Sequence, residues 1–134
     1  MRTPELSHLS EVFRNYREIQ AVYLFGSAAT GGERPDSDLD LAVFPDTPSL
    51  RRQKLQILSD LASRGFCQVD LIFLAEDDIV LQYEAVRLNV VVYHEPGFDR
   101  GHLYSKIVRK YLDFLPYLAV QRAAYKKRLL GGQV

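Results

Sequence analysis

A single cysteine, Cys67, excludes an intrachain disulfide. One Cys and three His also fall short of the ligand set of a structural zinc site. Cys67 precedes a predicted strand and reads as a small core residue. The chain has no excess of either charge: Lys+Arg and Asp+Glu both total 17. Broad, sequence-independent nucleic-acid binding needs a basic surface, so it is not expected. No apolar run approaches the 18 or so residues of a membrane span, and the N-terminus has no signal-peptide core. A soluble, cytoplasmic protein is therefore expected, with no membrane partner. Repeats, low-complexity tracts and linkers are also lacking. What remains is 134 residues with 47% apolar content, enough for one domain, 1–134, to fill its own core.

The stretch from Tyr23 to Phe44 carries the chemistry. An apolar run, Ala21–Phe25, leads into Gly26-Ser27. Ten residues later come two aspartates one residue apart, Asp38 and Asp40, at the start of a second apolar run. The pattern predicts strand, glycine turn, loop and strand. Successive side chains of a strand point to opposite faces, so Asp38 and Asp40 share a face roughly 7 Å apart. At an effective dielectric near 20 their repulsion is about 2 kcal/mol. Folding alone has no use for that repulsion, and a divalent cation between them reverses its sign.

Around this stretch, Thr3-Pro4-Glu5 reads as a helix start, and apolar spacing carries a first helix to about Arg17. Gly26 lets the backbone approach a ligand, and the N–H groups of a short helical turn over residues 27–30 suit phosphate. Gly31-Gly32 and Arg34-Pro35 mark a surface loop, with Arg34 read as solvated. Asp36 reads as a cap before the second strand, residues 38–44. Thr47-Pro48 opens a second helix, with Arg51, Arg52 and Lys54 solvated near its start and Gly65 stopping it. A third strand, residues 68–74, holds Asp70 between Val69 and Leu71. A carboxylate there asks for a partner or a metal. If the second and third strands are neighbours, it joins Asp38 and Asp40; the intervening helix allows a parallel or an antiparallel return. Asp77 is expected to cap a third helix, and a fourth strand covers residues 90–93, with His94 and Glu95 exposed at its end. Residues 98–130 read as helix, with Leu103, Ile107, Leu112, Leu115 and Leu118 supplying core and Pro116 a kink or break. Tyr104, Tyr111, Tyr117 and Tyr125 cannot all lie on that face. Some are expected at a partner surface, unless the tail folds back at Pro116 and buries them.

Gly26-Ser27, ten residues, Asp38-x-Asp40, and Asp70 in an apolar strand resemble the signature of the polymerase-beta-like nucleotidyltransferases. Average composition produces the Gly-Ser and Asp-x-Asp part in on the order of one chain in five hundred, so the match is specific. The short chain is similar to the minimal nucleotidyltransferases, which pair as antitoxins with HEPN-domain ribonuclease toxins. The resemblance implies an α/β (α+β) fold: a small mixed sheet of about four strands flanked by helices, with a C-terminal helical segment. It also implies a magnesium-dependent nucleotidyltransferase. Asp38, Asp40 and Asp70 would be its catalytic and metal-ligating residues, with two magnesium ions. Gly26 and Ser27 would hold the phosphates of ATP. Two metals about 4 Å apart stabilise both the attacking and the leaving oxygen of such a displacement. The acceptor that the resemblance implies is a tyrosine of the cognate HEPN toxin, silenced by addition of AMP. A small-molecule transferase of the aminoglycoside type is the alternative, followed by a non-enzymatic antitoxin that only covers its toxin.

Overall fold

The computed structural model describes residues 6–26, 29 and 39–131. A 3-10 turn, Leu6–His8, runs into helix α1, Leu9–Phe13. Strand β1 is Ala21–Phe25 and β2 is Leu39–Phe44. Helices α2, Pro48–Arg52, and α3, Lys54–Ser63, precede β3, Val69–Phe73. Helix α4, Ile79–Val86, strand β4, Val91–His94, and helix α5, Arg100–Gly131, complete the chain.

The four strands form one mixed sheet in the order β3-β2-β1-β4. β1 runs antiparallel to both β2 and β4, whereas β2 and β3 are parallel neighbours. The α2–α3 segment is therefore a parallel crossover, which settles the alternative left open by its length. Side-chain alternation sends Val22, Leu24, Leu41, Val43, Leu71 and Phe73 into one cluster with α1 and α3. The opposite face sends Ala21, Tyr23 and Ala42 into a second cluster with Ala85 and Val86 of α4 and Leu103 and Ile107 of α5. At about 25 cal/mol per Å2 of buried apolar surface, these two clusters hold the sheet between its helices.

Several local expectations change. The first helix ends at Phe13 rather than near Arg17. The Asn15 amide donates to the Glu11 carbonyl at 3.0 Å, occupying an acceptor of the last turn. Tyr16 and Ile19 are still buried, but a run of turns delivers them. The Tyr16 hydroxyl donates to the Asp60 carboxylate, tying this segment to α3. Burial, followed by that bond and the charge of Asp60, pushes the phenol far above its ordinary range. The second helix is interrupted at Gln53, where φ is −90° and ψ 4°, and Gln53 donates to the Ser49 carbonyl at 3.2 Å. Thr47 caps α2 as expected, accepting from the Leu50 N–H at 3.1 Å. Cys67 is exposed, not core. Phe66 beside it fills the buried position, and the next side chain faces out. The proposed Thr3-Pro4-Glu5 start, the turn over residues 27–30 apart from Ala29, and the loop with Arg34 and Asp36 lie outside the described residues.

The cap of α4 is Asp78, which accepts from the Leu81 N–H at 3.1 Å, and not Asp77. Replacing Asp78 by alanine is expected to destabilise the fold by about 1 kcal/mol. Asp77→Ala, at an exposed position without that bond, should stay within about 0.5 kcal/mol of the parent. Urea midpoints of the two variants measure the difference.

The largest departure is α5. It is one continuous helix through Pro116, so the tail does not fold back. Leu103 and Ile107 are core, but Leu112 and Leu115 are exposed.

Candidate active site

β2 enters the sheet at Leu39, and its second residue is Asp40. The parallel register places Asp40 beside Asp70 of β3, and the antiparallel register places it beside Phe25 of β1. A row Phe25, Asp40, Asp70 thus crosses three strands at one end of the sheet. Its backbones are about 4.8 Å apart and its side chains lie on one face. That face is the one shared with α4 and α5, since Ala42, two residues on from Asp40, belongs to their cluster. Asp40 is half-buried and Asp70 exposed. Exposure removes the desolvation argument for a partner at Asp70. What counts instead is its position, on the same face as a second carboxylate one strand away.

Gly26 closes β1 directly against this row. Its φ is +73°, a conformation that side chains other than glycine's rarely adopt. A Cβ built on it would lie 2.2 Å from Oδ2 of Asp40 and 3.1 Å from its Cγ. The absent side chain is therefore what lets the carboxylate sit against the turn. Glycine serves here both as a conformational switch out of the strand and as the wall beside an acid.

One row deeper, Tyr23 pairs with Ala42 and is fully buried. Burial pushes its phenol above the ordinary range, against a smaller opposing pull from the positive charge of Arg100. Its hydroxyl has no hydrogen-bond partner among the described residues.

Of the five residues expected at the site, the structure brings together Gly26, Asp40 and Asp70. Ser27 and Asp38 lie outside the described residues, and no group of three metal-ligating side chains occurs among those described. The donor set nevertheless suits magnesium, which takes oxygen ligands, keeps several waters and needs few carboxylates. Phe25 was not foreseen as a neighbour of the site. Its place beside Asp40 follows from strand register, which spacing alone does not supply. His94 is exposed at the end of β4, where its Nδ1 donates to the Glu95 carbonyl at 3.0 Å.

The family model described as polymerase beta nucleotidyltransferase matches residues 7–96, from α1 through β4. Compared with curated protein sequences, the chain has no match. Among solved structures it is similar to a toxin–antitoxin with AMP-PNP, with a TM-score of 0.69 and 23% identity over 94% of this chain and 98% of that one. It is also similar to a complex of a tri-AMPylated Shewanella oneidensis HEPN toxin with an MNT antitoxin. There the TM-score is 0.62 and the identity 23%, over 93% and 95% of the two chains. A third likeness is to the toxin–antitoxin MntA-HepT, with a TM-score of 0.61 and 23% identity over 93% and 96%. These likenesses show the fold.

Proposed function

The chain belongs to the polymerase beta nucleotidyltransferase family, and on that premise we propose that it is an antitoxin that transfers AMP from ATP to a tyrosine of a HEPN-family ribonuclease toxin. The observation that carries the transferase reading is the row of Asp40 and Asp70 on adjacent parallel strands, with Gly26 seated against Asp40. The acceptor reading is supported by likeness to toxin–antitoxin structures along nearly the whole of both chains.

In this reading Asp38, Asp40 and Asp70 would be the carboxylates that hold magnesium, which takes oxygen ligands. The bound ions would offset the charge that builds on the attacking and leaving oxygens. Gly26 and Ser27 present backbone N–H groups, and Ser27 a hydroxyl, to the β- and γ-phosphates. The tyrosine oxygen attacks the α-phosphorus, an O–P bond forms, the bond to the β-phosphate oxygen breaks, and pyrophosphate leaves. Asp70, exposed at the edge of the row, accepts the phenolic proton. Holding the acceptor oxygen in line with the α-phosphate supplies the rest of the rate.

Incubation of this protein with ATP, magnesium and a candidate partner protein of the HEPN family tests the reading. The expected result is one or more adenylate mass increments on the HEPN protein, mapped by peptide mass spectrometry to tyrosine. Increments on an aminoglycoside and none on the protein would move the assignment to a small-molecule transferase.

A further inference from the structure

Helix α5 continues past the body of the protein. Its first turns are core: Leu103 and Ile107 are buried, and Tyr111 stacks on Tyr83 of α4 with ring centroids 3.8 Å apart and planes 2° apart. Beyond Ile107 no residue through Leu130 is buried. Yet the stripe that meets α4 does not end there. At 100° per residue, Phe114, Leu118, Tyr125 and Leu129 fall within about 40° of the direction of Ile107. The face that α4 covers over the first turns thus runs on, uncovered by α4, for residues 114–130, about 25 Å of helix.

Charge says what can cover it. Residues 108–131 carry six Lys or Arg and one Asp, a net +5. Because the whole chain is neutral, the remainder carries −5. Two such arms laid together would bring like charge against like charge. The basic residues also do not gather on one face, as a phosphate-binding surface requires: Arg122 and Lys126 lie to one side of the apolar stripe, and Lys110 and Arg128 to the other. Apolar positions at three- and four-residue spacing with charged flanks are the pattern of a helix that packs against another helix.

We infer that residues 114–130 form a docking arm that packs along a helix of the toxin, one with an apolar seam and acidic flanks, continuing the line of contact that α4 begins. The inference rests on the antitoxin reading above. It predicts a division of labour within the chain. The carboxylate row performs the transfer, and the arm, some turns away along α5, holds the acceptor protein.

The test compares the full-length chain with Leu118→Glu/Tyr125→Glu/Leu129→Glu, with Tyr125→Glu alone, and with Leu112→Glu, an exposed control off the stripe. Each is titrated against the HEPN-domain protein by calorimetry, and AMP-PNP binding confirms that each variant is folded. The triple variant should bind at least about 100-fold more weakly, Tyr125→Glu about 10-fold more weakly and Leu112→Glu as the parent, all with unchanged AMP-PNP affinity. If the parent adenylylates the HEPN protein and the triple variant still binds it equally tightly, the arm is wrong and the antitoxin reading stands. Equal loss in Leu112→Glu would also overturn the stripe. A parent that is a dimer by light scattering and becomes a monomer in the triple variant would assign the arm to a second copy. Tight binding of a labelled RNA through the arm would assign it to nucleic acid. Either result overturns the inference. Should the parent neither bind nor modify the HEPN protein, the antitoxin reading fails and the arm's assignment with it.

Discussion

Replacing Asp38 and Asp40 together by asparagine is expected to lower nucleotidyl transfer about 1,000-fold or more, with the unfolding midpoint unchanged or raised. Asparagine keeps the size and an oxygen but removes the charge on which magnesium ligation depends. Metal stabilisation of the transferred phosphoryl group is worth several kcal/mol, and each 1.36 kcal/mol is tenfold in rate. The stability side runs the other way. Two carboxylates about 7 Å apart, the spacing expected for residues i and i+2 of a strand, repel by about 2 kcal/mol at an effective dielectric near 20, and Asp40 lies beside a further carboxylate, Asp70. Neutralising the pair removes that repulsion. Transfer is followed by release of pyrophosphate, and stability by thermal melting without metal. A double variant that transfers at the parent rate would remove these residues from the chemistry.

Gly26→Ala is expected to reduce transfer about 100-fold while the protein remains folded. Two effects act at this position. The φ of +73° costs a residue with a Cβ roughly 1–2 kcal/mol. The new methyl group would meet Oδ2 of Asp40 at 2.2 Å. The atom in the way ends a short side chain, so the clash is relieved by turning the carboxylate rather than by moving the sheet. The fold therefore loses only the backbone term, and the site loses its geometry. A displacement of about 1 Å at a reacting centre costs on the order of 100-fold. A urea midpoint shifted by the equivalent of about 1–2 kcal/mol, together with the drop in rate, is the expected pair of results. If Gly26→Ala retains full transfer, Asp40 does not need its place against the turn.

Much of this protein was determined by the sequence alone. Short continuous apolar runs set the strands to within a residue or two, since a sheet covered on both faces buries side chains of either direction. Thr47-Pro48 and Gly65 marked the ends of the helical crossover, because caps are local and need no distant partner. The spacing of Gly26, Asp38, Asp40 and Asp70 pointed to phosphate and metal chemistry for the same reason: each residue's type limits what it can do. Choices between nearly equal local options were less legible. Asp77 and Asp78 are both capping residues, and only the path of the chain into α4 selects the second. Phe66 and Cys67 are both apolar enough for the core, and only one could point inward.

Tertiary structure alone decided three further matters. Parallel pairing of β2 with β3 put Asp40 and Asp70 in one register, and register is a property of two strands that neither contains. The approach of Gly26 to Asp40 depended on β1 and β2 being neighbours. The fate of α5 depended on how far the body extends. Its apolar stripe is continuous through the helix, but α4 is only eight residues long. A periodic pattern states that a face must be covered; the reach of the neighbouring element decides whether this chain covers it or leaves it to another.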